Sequence, residues 1–154
     1  MIECLMILSR SGILRFLRIY SEDESEISPK KLVADTISYI ASSNNTQIIY
    51  DFPYTAKEKR KIVYRSFGNV FLISIIDELE NELAMLDFIN VLMHAMNEVF
   101  MGICESHVIM NPDKLYLLFD EAICGGTVIE TETNKIIKAY KDKNIENDNY
   151  KYFS

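Results

Sequence analysis

Acid–base, thiol or metal chemistry in this chain would have to use two histidines, three cysteines and a few runs of carboxylates. Catalysis needs a converging set of such groups. His94 lies in an apolar helical stretch and His107 in the segment after it. No HExxH, CxxC, GxSxG or Walker loop accompanies them. The carboxylates between Asp77 and Glu82 offer oxygen to a metal, but they also read as a solvated loop entering a helix N-terminus, which favours anions. Asp120 and Glu121 are neighbours, and neighbouring helical positions diverge by about 100°. Cys4, Cys104 and Cys124 are odd in number and read as buried cytosolic thiols. The residues therefore predict no catalytic group, no cofactor and no metal ligand.

Arg15 is the exception. Strict alternation along a strand puts it beside Ile13, Leu17 and Ile19. A guanidinium there must meet an anion or reach the rim. An internal salt bridge and a snorkelling side chain satisfy it as well as a bound ligand does.

Such residues need a scaffold, and the chain is long enough to build one. Its 154 residues fit one domain. The net charge of −7 argues against broad nucleic-acid binding and against a polybasic hold on a membrane. No apolar run approaches the roughly 20 residues that span a bilayer. The first twelve residues have no basic leader and do not read as a signal peptide. Without one, the sequon at Asn44 reads as chance.

Periodicity predicts strands over 2–9, 13–20, 47–52, 61–67 and 69–77. The first is apolar on both faces and must be covered on both. Gly68-Asn69 reads as a hairpin turn. Ser28-Pro29 opens a helix that runs to about residue 42, and a long helix spans 81–100. That long helix has two apolar stripes, one through Met85, Phe88, Leu92 and Met96 and one through Leu83, Leu86 and Met93. The second needs a cover from this chain or from a partner. Residues 104–110 read as extended, Asn111-Pro112 opens a further helix, and Gly125-Gly126 reads as its stop. A last helix starts at Thr133, and 141–154 read as a polar, mobile tail beyond a domain of residues 1–140. Two small surface readings remain. Ser21 and Ser25 lie among acids, as acidophilic kinases prefer, although a solvated loop explains them. The basic run at 57–61 either touches lipid headgroups or is solvated. The element order predicts an α/β (α+β) fold: a five-stranded, mainly antiparallel sheet flanked by helices on both faces.

Several segments, in order, resemble the sigma (small) subunits of heterotetrameric clathrin-type adaptor complexes. The opening MIECLMILSRSGILRFLRIY resembles that family's first two strands, with Arg15-Phe16-Leu17-Arg18-Ile19-Tyr20 in place of R-L-x-K-[WF]-Y. KIVYRSFGNVFLISII, ENELAMLDFINVLMHAMNEVF, Ile103-Cys104-Glu105 and MNPDKLYLLFDEAICGGTVIE resemble its later segments. GGTVIET leans toward the delta-adaptin-containing class, with the epsilon-containing class close behind. The coatomer zeta subunit is the nearest relative outside the adaptors, and a TSET-type small subunit is a further alternative. A stand-alone longin regulator of a small GTPase is the competing class.

The resemblance implies a longin-like fold and a binding role without catalysis. It implies packing on the N-terminal solenoid of a large adaptin, in a heterotetramer with a second large chain and a mu chain. The spare stripe Leu83, Leu86 and Met93 gives that contact a physical motive. It also implies peripheral association, through the complex, with the cytosolic face of Golgi or endosomal membranes, and no nucleic-acid partner. In clathrin adaptors, sigma helps bind acidic dileucine signals, [DE]xxxL[LI], in cargo tails. Carried over by motif, Arg15 would meet the acid, and Gly68, Val70, Met93, Ile103 and Val108 would wall the leucine pocket.

Overall fold

The structure is a computed structural model that describes residues 1–21, 28–44, 46–55 and 57–153, with side chains through 148. Beyond Ser21 the expected acidic loop, including Ser25, lies outside the described residues.

Strand β1 (Ile2–Ser9) is buried along its whole length. Its two apolar faces give it a helix layer on each side. It lies between β2 (Leu14–Ile19) and β5 (Val70–Ile76), and β4 (Lys59–Phe67) and β3 (Ile48–Pro53) extend the sheet. The order is β2-β1-β5-β4-β3, and every pair is antiparallel, in line with the expected five-stranded, mainly antiparallel sheet.

Helix α1 (Pro29–Ala41) covers one face, over a cluster that includes Cys4, Met6, Leu8, Ile62 and Ile73. Pro29 starts it without the loss of a needed hydrogen bond. Helix α2 (Glu82–Val99) covers the other face, its first turn capped by Asn81 Oδ1, which accepts from the Leu83 and Ala84 amides. Helices α4 (Pro112–Asp120) and α5 (Thr133–Phe153) complete that layer through Leu115, Leu118, Phe119, Ile136 and Tyr140. Each fully buried Leu, Ile or Phe here contributes about 1.5–3 kcal/mol.

Several expectations are corrected. The stretch read as extended contains a short helix, α3 (Glu105–Met110). Cys104 serves as its N-cap, and His107 Nδ1 reaches back to accept from the Cys104 amide at 3.3 Å. Gly125-Gly126 does not stop α4, which ends at Asp120 with Glu121 as its C-cap. The two glycines turn a small hairpin between β6 (Ile123–Cys124) and β7 (Thr127–Val128), both at positive φ, 55° and 86°. Gly126 also lies against β1: its carbonyl accepts from the Ile2 amide at 2.8 Å, and a Cβ would lie 2.4 Å from the Ile2 carbonyl oxygen. The segment from 141 continues α5 to Phe153, and all but one of its described side chains, those of 141–148, are exposed. Of the three cysteines only Cys4 is buried, because Cys104 caps a surface helix and Cys124 lies on the exposed hairpin.

Two of the four basic residues at 57–61 are spent internally. Arg60 donates to Glu3 and Glu58, and Lys61 Nζ donates to the carbonyls of Glu78 and Glu80 and to Glu82 Oε2. Ser21 Oγ shares a hydrogen bond with the Tyr54 hydroxyl.

Candidate functional site

Arg15 does not lie where alternation puts it. Ile7 pairs with Phe16 and Leu8 with Leu14, so Arg15 is the extra residue of a β-bulge in β2. The bulge carries its guanidinium away from the α1 face, where Leu17 and Ile19 pack, to the face shared by Phe16 and α3. There Arg15 Nε donates to Glu105 Oε1 at 2.9 Å, with the two side chains 26% and 27% exposed. The internal ion pair weighed from sequence is thus present. It uses only Nε, and no other described group bonds the two terminal nitrogens.

Glu105 is the first residue of α3, and the local sequence fixes that helix. Asn97 Oδ1 accepts from the Ile103 amide at 3.0 Å and the Asn97 carbonyl accepts from Gly102 at 2.8 Å, folding the connection back on the end of α2. His107 then stacks on Phe100, centroids 5.9 Å apart and 15° between planes. Backbone hydrogen bonding at the α3 N-terminus, from His107 first, lowers the Cys104 thiol from its ordinary value.

Between the β4–β5 hairpin, α2 and this connection lies a cavity of about 100 Å³, lined by Phe67, Asn90, Met93, His94, Asn97 and Ile103. Two expected wall residues, Met93 and Ile103, therefore meet. Val70 and Val108 lie in the closed core beneath, 1% and 0% exposed. Gly68 occupies the adjoining turn outside the lining; it has a φ of 53°, and its carbonyl accepts from Arg10 Nε at 3.1 Å. Phe67, Asn90, His94 and Asn97 were missed. The α2 members recur at i, i+3, i+4 and i+7, a stripe visible in the sequence but mostly polar, unlike the apolar faces that signal a pocket for leucine.

The expected partner face divides. Leu83 is 66% exposed, as are Leu79 and Tyr50 by more than half, and the Tyr50 hydroxyl donates to Oε1 of the adjacent Glu82 at 3.0 Å. Leu86 is 8% exposed and belongs to the core, and Met93 lines the cavity. Part of the second stripe is thus covered by the chain itself. Hydrogen bonds from Lys61, its own backbone and Tyr50 lower Glu82 to about 2, which ties α2 to β4 and β3.

Among the described residues no three His, Cys, Asp or Glu side chains gather as a metal site, and no helix is long and apolar enough to cross a membrane. The site holds one oriented cation beside a small cavity of mixed apolar and polar lining.

Comparison with known proteins agrees with this architecture. The family model for the clathrin adaptor complex small chain matches residues 1–146. The AP-3 complex subunit sigma of Arabidopsis thaliana is 27% identical over 143 residues, covering 92% of this chain and 86% of that protein. The Schizosaccharomyces pombe AP-3 sigma subunit is 26% identical, covering 93% and 86%, and the Homo sapiens AP-3 sigma-2 subunit is 25% identical, covering 94% and 75%. A chain in a homology model of the full-length AP-3 complex in a stretched open conformation superposes with a TM-score of 0.72 at 21% identity, covering 99% of this chain and 98% of that one. That likeness supports the fold alone. With its sheet order, its helical layers and a family match across nearly its whole length, the chain belongs to the clathrin adaptor complex small-chain family.

Proposed function

We propose that this chain is the sigma-type small subunit of an AP-3-like adaptor complex, that it packs on a large adaptin chain within a heterotetramer, and that it helps hold acidic dileucine signals of membrane cargo. The complex would work peripherally on the cytosolic face of Golgi or endosomal membranes.

The observation that carries the cargo reading is Arg15. A bulge and a single Nε contact hold the guanidinium at the start of α3, two residues from the cavity wall at Ile103, with its terminal nitrogens unengaged by described groups. An acidic side chain upstream of two leucines fits that arrangement. The cavity of about 100 Å³ is smaller than the roughly 300–1,000 Å³ of ordinary ligand sites. Met93 is the wall residue best able to yield, because an unbranched thioether changes rotamer easily. Each leucine seated there would contribute about 1.5–3 kcal/mol before ordering costs. The surface at Leu79, Leu83 and Tyr50 suits the large chain, being apolar and exposed.

The test of assembly is co-purification of the tagged chain from its own cytosol with mass spectrometry of the partners. Recovery of a delta-type large chain with beta and mu chains is expected. Recovery of coatomer subunits, or of no large chain, contradicts the reading.

A further inference from the structure

A second, larger cavity lies away from this site, on the α1 face. It measures about 610 Å³, within the range of ordinary ligand sites. It opens between the C-terminal end of α1 and the top of the sheet. Leu8, Ile37, Ile40 and Phe71 give it apolar walls, and Arg10 and Arg65 border it. No Asp or Glu is among the described residues of the lining. Neither arginine has a carboxylate partner among the described residues. Arg10 gives Nε to the Gly68 carbonyl and lies 5.8 Å from the Phe71 ring centroid. Arg65 has an enclosed Nε without a described partner. Alternation along β4 starts its side chain from the opposite face to Tyr64, so Arg10 is the cation that belongs to this groove.

We propose that this groove is a second peptide site, which takes a short segment of a partner protein carrying an acidic residue next to a large aliphatic or aromatic one. The acid meets Arg10 and the apolar side chain enters between α1 and the sheet. Charge complementarity selects an acidic segment over a basic one, and the apolar walls select a peptide over a bare anion. The site stands independently of the cargo reading, because α2, Met93 and Arg15 take no part in it.

The test is selection of a phage-displayed library of random dodecapeptides on the full chain, followed by anisotropy with the synthetic winner. Enrichment of Asp or Glu beside Leu, Ile or Phe is expected. Affinity should fall about tenfold or more in Arg10→Gln, the loss of one charge-assisted hydrogen bond. Ala41→Glu, which places a like charge on the exposed rim without touching Gly68, should weaken binding similarly, while Met93→Asp should leave it unchanged. Failure to enrich any sequence, a consensus without acids, or equal affinity for the wild-type chain and Ala41→Glu would overturn the proposal. So would loss of binding in Met93→Asp, which would place the peptide in the cargo cavity.

Discussion

Glu105 holds Arg15 by its Nε at 2.9 Å, across 90 residues of sequence, at the point where β2 bulges. The carboxylate both aims the guanidinium and opposes any acid that approaches it. Glu105→Gln keeps an acceptor oxygen and removes the charge. The expected result is tighter binding of an acidic dileucine peptide, by about two- to tenfold at low salt, and a smaller gain as salt screens the pair. Weaker binding would mean that Glu105 acts through its charge to hold Arg15 in place, and unchanged binding that its charge does not oppose the peptide.

Gly126 has both a positive φ and a backbone neighbour where a Cβ would go. Gly126→Ala should lower stability by about 2 kcal/mol or more, read as a drop in the midpoint of urea unfolding. Gly125→Ala, at a φ of 55° with nothing within 4 Å, should cost about 1 kcal/mol. Equal effects would argue against the close approach to Ile2.

Leu83 and Leu86 separate assembly from folding. Leu86→Ala should destabilise the chain by about 2–5 kcal/mol, as a truncation in a closed core does. Leu83→Asp should leave the unfolding midpoint nearly unchanged and abolish co-purification with the large chain. An unfolded Leu83→Asp protein, or one that still assembles, contradicts the assignment of that surface.

Glu82 gives the fold a pH dependence with a definite sign. Its carboxyl is lowered from 4.5 to about 2, so the stabilisation it brings is complete above 4.5 and is lost as pH falls through about 2. The midpoint of thermal unfolding should be higher for wild type than for Glu82→Gln above pH 4.5, and the gap should close toward pH 2. A gap that persists there would remove the Lys61–Glu82 contact as its cause.

The sheet was legible because its signals are strong and local. β1 is apolar on both faces, and Gly68-Asn69 marks the tight hairpin into β5. The smaller features were illegible for physical reasons. α3 begins on Cys104 and closes its cap with His107, where a Ser or Thr with a Glu or Gln is the usual pattern. Gly125-Gly126 suits a helix stop and a two-residue hairpin equally, and the strands it joins are two residues each, too short for a period. Arg15 was found by residue type and by resemblance, but its face was misread because one bulged residue reverses the alternation. Met93 and Ile103 were found in the cavity wall, while Val70 and Val108 proved to be core beneath it.

The most direct test of the central claim is the affinity of an acidic dileucine peptide for the assembled complex, with this chain carrying Arg15 or Arg15→Ser. Assembly should be unaffected. Affinity for the acidic peptide should fall about tenfold or more, and a peptide with glutamine in place of the acid should bind both forms equally weakly. Equal binding of the acidic peptide to both forms would contradict the role given to Arg15 and leave it as half of an internal ion pair with Glu105.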